Sequence, residues 1–239
     1  MVKLSNPLFC ALDTGDLERA VALATELRDI VGGFKLGLEF FSALGPAGVE
    51  KIAAFGLPLF IDLKFHDIPN TVAGAVRSIM PLRPAILTVH AAGGIEMMQA
   101  AREAAAEAAA RLDSEMPWIV AVTLLTSLDA GDLDALGIEG STHKVVARLT
   151  RLVEKAGLDG VVCAPHEVST ARSTTGEGFR IVVPGIRPRG APAYDQKRVM
   201  TPEEAMAAGA SVIVVGRPIT SAADPAAAAQ TIVDAIALS

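Results

Sequence analysis

Two acids and a lysine stand close together in the stretch IDLKFHDIPNT, which covers residues 61 to 71. Asp62 and Lys64 follow an apolar run directly, and Asp67 comes three residues after the lysine. At about 4 Å and an effective dielectric constant near 20, each carboxylate would favour the ammonium form by roughly 4 kcal/mol before solvation is counted. Schiff-base chemistry needs a neutral amine. Lys64 is therefore predicted to be a proton donor rather than an amine nucleophile.

The alternative interpretation is an ion pair that only satisfies itself inside the fold. Burying ions costs several kcal/mol each, and an apolar replacement is often at least as stable. Two lysines and three acids near the ends of apolar runs therefore favour a chemical site, with the members Asp13, Lys35, Asp62, Lys64 and Asp67. His66 and His90 lie nearby and are interpreted as hydrogen-bonded structural residues.

Short apolar runs that alternate with longer helix-like segments must position these residues. Such alternation is typical of βαβ units and a parallel sheet. The eight candidate strands cover residues 7 to 13, 33 to 38, 57 to 65, 85 to 91, 118 to 126, 160 to 165, 180 to 186 and 211 to 217. Eight repeats in 239 residues predict one (β/α)8 TIM barrel, a single α/β domain over residues 1 to 239.

In such a barrel the functional groups gather where the strands end. Residues two apart on a strand share a face, so Asp62 and Lys64 should both point into the mouth of the barrel. After the last strand, Gly216 and Arg217 stand where barrels often bind a phosphate through backbone N–H groups. Arg187 begins the long segment 187 to 200, which is too long for a plain connection and is predicted to be functional.

Composition and charge exclude several classes of function. The net charge of −6, with interspersed signs, argues against a nucleic-acid surface. No apolar run reaches the ~18 residues of a membrane span. The first sixteen residues lack the long apolar stretch of a signal peptide, which predicts a cytoplasmic location. Cys10 and Cys163 lie in separate apolar runs and are predicted to be reduced core residues.

With these residues placed, the chain resembles the orotidine 5'-phosphate decarboxylase family of the bacterial type. The resemblance rests on FIDLKFHDIPNTV and on a series of further segments in family order, namely CALD, FKLGLEFF, VTLLTS, VVPGIRP, DQKRVMTPEEAMAAGAS and IVVGRPIT. It extends over essentially the whole chain. It implies a carboxy-lyase that converts orotidine 5'-monophosphate to uridine 5'-monophosphate and CO2, the last step of pyrimidine nucleotide synthesis, without a cofactor or metal.

The resemblance also implies a role for each matching residue. Lys64 becomes the proton donor to C6 of the pyrimidine, within a charge network of Lys35, Asp62, Lys64 and Asp67. Asp13 and Lys35 hold the ribose hydroxyls, and Thr126 or Ser127 meets the pyrimidine edge. The phosphate is held by Arg187, Gln196, Gly216 and Arg217. Asp67, Ile68 and Thr71 reach into the site of the neighbouring subunit of a homodimer. The contacts of the loop-like segment 127 to 141 stay open.

Two alternatives remain open at this point. Asp-x-Lys-x-x-Asp is shared with magnesium-dependent sugar-phosphate lyases such as hexulose-phosphate synthase, although FHDIPNT and the IRP, DQ and GR motifs separate this chain from them. A non-catalytic protein that binds phosphoribosyl ligands on the same scaffold would keep Gln196 and Arg217. Such a protein would have no need of a lysine between two acids.

Overall fold

Eight parallel strands form a closed barrel in the computed structural model, which describes Leu4 and residues 6–189 and 200–237. Each strand pairs with its neighbours along the chain, and the last pairs with the first. The strands are β1 (Leu8–Ala11), β2 (Gly33–Leu36), β3 (Leu59–Phe65), β4 (Ile86–His90), β5 (Trp118–Val122), β6 (Gly160–Val162), β7 (Arg180–Val183) and β8 (Val212–Val215). The predicted (β/α)8 TIM barrel is confirmed.

The observed strands are shorter than the predicted ones, mostly at their carboxyl ends. Every observed strand lies inside its predicted range, but β1 ends at Ala11 and β5 at Val122. Asp13 and Thr126 therefore lie on loops after their strands rather than at strand ends. The reason is that ladder hydrogen bonds stop where the chain turns towards the helices, whereas the apolar composition continues into the turn.

Helices follow the strands and cover the barrel. In the described part of the chain they are α1 (Leu17–Leu27), α2 (Leu38–Ala53), α3 (Pro69–Ile79), α4 (Gly94–Arg111), α5 (Ala130–Ala135), α6 (Thr142–Lys155), α7 (Val168–Ser173), α8 (Pro202–Ala207), α9 (Arg217–Thr220) and α10 (Pro225–Ala237). Short polar side chains begin several of them. Asp16 accepts a hydrogen bond from the backbone of Arg19, and Ser141 and Thr201 cap α6 and α8 in the same way.

The segment 127 to 141 is not the plain loop that its composition indicated, because α5 lies inside it. The carboxylate of Asp129 accepts hydrogen bonds from the backbone of Gly131 and Asp132, and Asp132 accepts one from the backbone of Asp129. This capping box starts a helix of only six residues. A run of Asp, Gly and Leu resembles a loop in composition, and only the spacing of the two acids could have indicated a helix start.

Two apolar layers enclose the strands, which explains their nearly continuous apolar sequences. The outer layer lies between strands and helices, and the inner one fills the barrel. Phe9 and Ala11 of β1 point inward, whereas Leu8 and Cys10 pack outward. Gly33 pairs with Phe9, and a Cβ there would lie 2.4 Å from the ring of Phe9. Glycine at this position lets the barrel close around a phenylalanine.

The only tryptophan of the chain lies at the opposite end of the barrel from the strand carboxyl ends. Trp118 begins β5 and is 5% exposed within the inner apolar layer. The guanidinium of Arg180, at the start of β7, lies 4.7 Å from the centre of its ring. A cation over an indole face is a favourable contact, so this pair closes the amino-terminal end of the barrel.

Candidate functional site

A cavity of about 490 Å³ opens at the carboxyl ends of the strands. Its volume suits a ligand of nucleotide size. The floor is apolar and belongs to the inner layer of the barrel, with Ala11, Phe60, Val122, Val162, Val182 and Val214. The polar lining consists of Asp13, Lys35, Glu39, Asp62, Lys64, Thr126, Arg187, Arg217 and Thr220. Most of the charged residues singled out in the sequence therefore meet in one cavity.

Asp62 and Lys64 of the third strand form an ion pair. The Nζ atom of Lys64 donates to Oδ2 of Asp62 at 2.7 Å. Asp62 is 7% exposed, so the pair is partly withdrawn from water. An opposite charge this close in a low-dielectric setting interacts far more strongly than it would in bulk water.

The backbone between these two residues is irregular, which the alternation argument did not anticipate. The β3–β4 register shifts between Ile61 and Phe65, and Lys64 has a φ of 51°. Arg83 and Asp113, the other non-glycine residues with positive φ in the described chain, follow helices instead. The two side chains do meet, but through a bulge rather than through regular strand geometry.

A second ion pair lies beside the first one. The Nζ atom of Lys35 donates to Oδ1 of Asp13 at 2.6 Å and lies 3.9 Å from Oδ2 of Asp62. A Cβ at Gly37 would lie 2.7 Å from Nζ of Lys35 and 2.8 Å from Oδ1 of Asp13. Glycine at that position leaves room for the pair. The four side chains thus alternate in charge from Asp13 through Lys35 and Asp62 to Lys64.

Asp67 stands apart from this row of charges. It is exposed, and its Oδ1 accepts a hydrogen bond from the backbone of Ile68 at 2.7 Å. Within the residues that the structure describes, Asp67 forms no ion pair with its own chain. Ile68 is 66% exposed and Thr71 is also exposed. None of these three residues lines the cavity of its own chain.

The other predicted binding residues divide into three groups. Thr126, Arg187, Gly216 and Arg217 line the cavity. Ser127 is not part of the lining, although it follows Thr126 directly. Gln196 lies outside the described residues, as does most of the segment 187 to 200.

Several residues around the site carried no recognised signal in the sequence. Thr88 contacts both Asp62 and Lys64, Gly37 adjoins Lys35 and Asp13, and Glu39 and Thr220 line the cavity. A polar residue inside the apolar strand ILTVH could have indicated Thr88. Glu39 and Thr220 gave no such signal, because polar residues at helix starts and ends are common.

His66 and His90 stack beside the cavity, with ring centres 5.2 Å apart and an angle of 23° between their planes. The pKa of His90 is lowered to about 4, mainly by burial and also by the neighbouring His66 and Lys64, against the opposing effect of Asp62. His90 is therefore neutral at physiological pH. This supports a structural role for the ring rather than proton transfer near pH 7.

We expect this neutral ring to make stability depend on pH. Unfolding returns His90 towards its ordinary pKa of 6.5. Its contribution to stability is then fully present above about pH 6.5 and is lost as the pH falls towards about 4. An NMR titration of the ring should show a midpoint near 4, and His90→Gln should lose less stability than the wild type between about pH 7 and about pH 5. A ring midpoint near 6.5 would contradict the burial argument.

The described residues contain neither a metal-binding cluster nor a membrane-spanning helix. No group of three or more His, Cys, Asp and Glu side chains there is arranged to hold a metal ion. None of the helices in the described ranges combines the length and apolar character that crossing a membrane requires. The cavity with its paired charges is therefore the candidate site.

The sequence and the fold are both similar to known proteins. The model of the orotidine 5'-phosphate decarboxylase / HUMPS family matches residues 6–232. A protein of Rhodospirillum rubrum named orotidine 5'-phosphate decarboxylase is 55% identical over 228 residues, which are 95% of this chain and 92% of that protein. A protein of the same name from Paramagnetospirillum magneticum is 52% identical over 224 residues, 94% of this chain and 95% of the relative.

Solved structures are similar to this chain in fold, and one of them has the same name as these relatives. The crystal structure of orotidine 5'-phosphate decarboxylase from Lactobacillus acidophilus has a TM-score of 0.85 and 34% identity, covering 97% of this chain and 99% of that one. An uncharacterised conserved protein from Geobacillus kaustophilus has a TM-score of 0.83 and 32% identity, covering 96% of this chain and 100% of that one. The similarity thus extends over the whole barrel.

Proposed function

Because the chain belongs to the orotidine 5'-phosphate decarboxylase / HUMPS family, and its relatives at 50 to 55% identity are decarboxylases by name, we propose that its barrel converts orotidine 5'-monophosphate to uridine 5'-monophosphate and CO2 by metal-free electrostatic catalysis. The activity is that of a carboxy-lyase in pyrimidine nucleotide synthesis. The observation that carries the mechanism is the contact of 2.7 Å between Nζ of Lys64 and Oδ2 of Asp62 above an apolar floor.

The chemistry requires a positive charge and a proton at one carbon atom. Breaking the bond between C6 and the carboxylate releases CO2 and leaves an electron pair on C6, with no adjacent carbonyl to delocalise it. A fixed ammonium stabilises that pair as it develops and then donates a proton to it. Lys64 is suited to both tasks because Asp62 holds its Nζ atom in place. Solvent returns the proton to Lys64 after the turnover.

The other members of the charge row have distinct roles in this proposal. Asp62 lies near the departing carboxylate, where its charge disfavours the bound substrate more than the transition state. Asp13 and Lys35 bind the ribose hydroxyls, supported by their contact of 2.6 Å beside Asp62. Thr126, which lines the cavity, meets the pyrimidine edge, with Ser127 as the adjacent candidate.

The phosphate binds at the other side of the mouth. Arg187, Gly216 and Arg217 line the cavity after β7 and β8, and we add Gln196 to this group from the family resemblance alone. The phosphate is remote from C6, so its binding energy can be used to close the site and exclude water. Substitution of a phosphate-binding residue should therefore slow the reaction of orotidine 5'-monophosphate more than that of a substrate without a phosphate.

A homodimer completes the site in this proposal. Asp67, Ile68 and Thr71 follow β3, are exposed and do not line the cavity of their own chain. A large apolar side chain that is 66% exposed favours a covered position in an assembly. We also propose a cytoplasmic location, because Cys10 and Cys163 are buried and form no disulfide bond, as is usual in a reducing compartment.

The decisive experiment follows ultraviolet absorbance during turnover of orotidine 5'-monophosphate by the purified protein in EDTA. We expect full activity without added metal. A protein that is inert with this substrate would contradict the proposed function, and pentulose and hexulose phosphates with magnesium would be tested next. Loss of activity in EDTA that magnesium restores would contradict the metal-free mechanism while leaving the reaction intact.

Arg217→Ala tests the phosphate site separately from the chemistry. A hydrogen bond to a charged group contributes about 1.5–3 kcal/mol, so kcat/KM for orotidine 5'-monophosphate should fall roughly 10-fold to 150-fold. Orotidine, which has the same base and ribose but no phosphate, should lose at most about 3-fold. Steady-state kinetics with both substrates measures the difference. An equal loss with both substrates would show that Arg217 acts elsewhere.

A further inference from the structure

Thr88 occupies a position that neither the motifs nor the charge row explains. Its hydroxyl accepts a hydrogen bond from the backbone N–H of Lys64 at 2.9 Å and donates one to Oδ1 of Asp62 at 3.0 Å. We propose that Thr88 is a positioning residue that fixes Lys64 and Asp62 relative to each other for proton transfer. This inference rests on the proposed function for its kinetic consequence, although its geometric content does not.

The location of Thr88 favours a specific role over a general one. It lies in the middle of β4 and is fully buried, on the inward face that also carries Ile86. The inner layer around it consists of apolar residues, so an apolar side chain would be the usual choice there. Burying a hydroxyl is unfavourable unless it is hydrogen-bonded. The two hydrogen bonds of the Thr88 hydroxyl join it to Lys64 and Asp62, the two residues of the candidate catalytic pair.

The bulge in β3 explains why a side chain must supply these bonds. Ile61 pairs with Leu87 and Phe65 with Val89, so the three residues 62 to 64 lie opposite Thr88 alone. Two extra residues on one strand remove the regular partners of the backbone groups between them. The hydroxyl of Thr88 takes the place of a backbone acceptor for the N–H of Lys64.

The positive φ of Lys64 makes this support necessary. A non-glycine residue in the left-handed region is unfavourable relative to the right-handed one, and it persists only where its surroundings fix it. Lys64 has a φ of 51° and is held at both ends, by Thr88 at its N–H and by Asp62 at its Nζ. Thr88 also donates a hydrogen bond to Oδ1 of Asp62, and the other carboxylate oxygen, Oδ2, faces Lys64 and Lys35.

The test compares Thr88→Val, which keeps the shape and removes the hydroxyl, with Thr88→Ser, which keeps the hydroxyl. Misplacing a catalytic group by about 1 Å can cost about 100-fold in rate, so Thr88→Val should lower kcat roughly 10-fold to 100-fold. KM should change by less than about 3-fold, because the groups that bind the ribose and phosphate stay in place. Thr88→Ser should recover kcat to within about 3-fold of the wild type.

A matched control removes one hydroxyl bond outside the pair. Thr123 follows β5 and is buried, its hydroxyl donates to the carbonyl of Val162 at 3.1 Å, and it does not line the cavity. Thr123→Val should keep kcat within about 3-fold of the wild type. Equal losses of kcat in Thr88→Val and Thr123→Val would overturn the proposal. If Thr88→Val does not fold, Thr88→Ser and Thr88→Ala give the same comparison, since they differ only by the hydroxyl oxygen.

Amide hydrogen exchange separates this inference from the proposed function. The amide of Lys64 should exchange more slowly in the wild type and in Thr88→Ser than in Thr88→Val, because only the hydroxyl variants protect it. This result is expected even if the wild type does not decarboxylate orotidine 5'-monophosphate, in which case only the proposed function fails. Unchanged protection of Lys64 in Thr88→Val would overturn the positioning role whatever the activity.

Discussion

Replacing Lys64 with alanine is expected to lower kcat for orotidine 5'-monophosphate by roughly 10⁴-fold or more. Proton donation by a positioned group contributes about 10²-fold to 10⁴-fold, and loss of one electrostatic stabiliser costs about 10²-fold to 10³-fold. Lys64 supplies both in the proposed mechanism. Its Nζ atom lies against Asp62, which is largely buried, and the cavity offers Lys35 as the nearest other ammonium, already 2.6 Å from Asp13. A substitute proton donor is therefore not in place.

One further variant separates the charge from the proton, and a second one serves as a surface control. Lys64→Arg keeps a positive charge, but a guanidinium does not release a proton at neutral pH. This variant should therefore still lose at least about 10²-fold in kcat. Lys51→Ala removes an exposed lysine in the last turn of α2 and should leave kcat unchanged. Lys64→Ala should remain folded, because Thr88 and Lys35 still adjoin Asp62. A folded Lys64→Ala variant with substantial activity would rule out Lys64 as the proton donor.

Mixing two inactive variants is expected to restore activity if Asp67 acts across a dimer interface. Lys64→Ala and Asp67→Asn should each form nearly inactive homodimers. After subunit exchange, a mixed dimer contains one site with both native residues and one site with neither. An equal mixture should therefore regain about a quarter of wild-type activity, because half of its dimers are mixed and each has one intact site of two.

A negative control comes from the same charge row. Asp62 and Lys64 contact each other within one chain, so Asp62→Asn mixed with Lys64→Ala should regain nothing. Steady-state turnover before and after exchange measures both mixtures, and sedimentation gives the oligomeric state. If subunits exchange freely between dimers and neither mixture regains activity, Asp67 acts in the site of its own subunit. A fully active monomer would exclude the shared site altogether.

The sequence allowed the architecture to be predicted because alternation of apolar runs is a property of the whole chain. The eight strands are all present, and the positions of Asp62 and Lys64 after an apolar run correctly indicated the mouth of the barrel. Strand ends were less predictable, since Asp13 and Thr126 follow apolar residues that have already left the ladder. Apolar composition reports burial, whereas a strand end depends on where hydrogen bonding stops.

The finer geometry of the site could not be predicted from local patterns. The positive φ of Lys64 results from a register shift between two strands, which depends on residues some 25 positions apart along the chain. Thr88 shows the same limit, because its importance comes from contacts across the strand pair and not from its neighbours in sequence. The exposure of Asp67 and Ile68 could not be predicted either, because a sequence motif that follows a strand does not specify the direction of its side chains.

The placement of Trp118 has a practical consequence for spectroscopy. As the only tryptophan, at the end of the barrel opposite the mouth and beneath the guanidinium of Arg180, it dominates the fluorescence of the chain under selective excitation. Emission should therefore report the opening of the barrel itself, while the absorbance of the pyrimidine reports events at the mouth. One sample then yields two independent optical signals, one for folding and one for turnover.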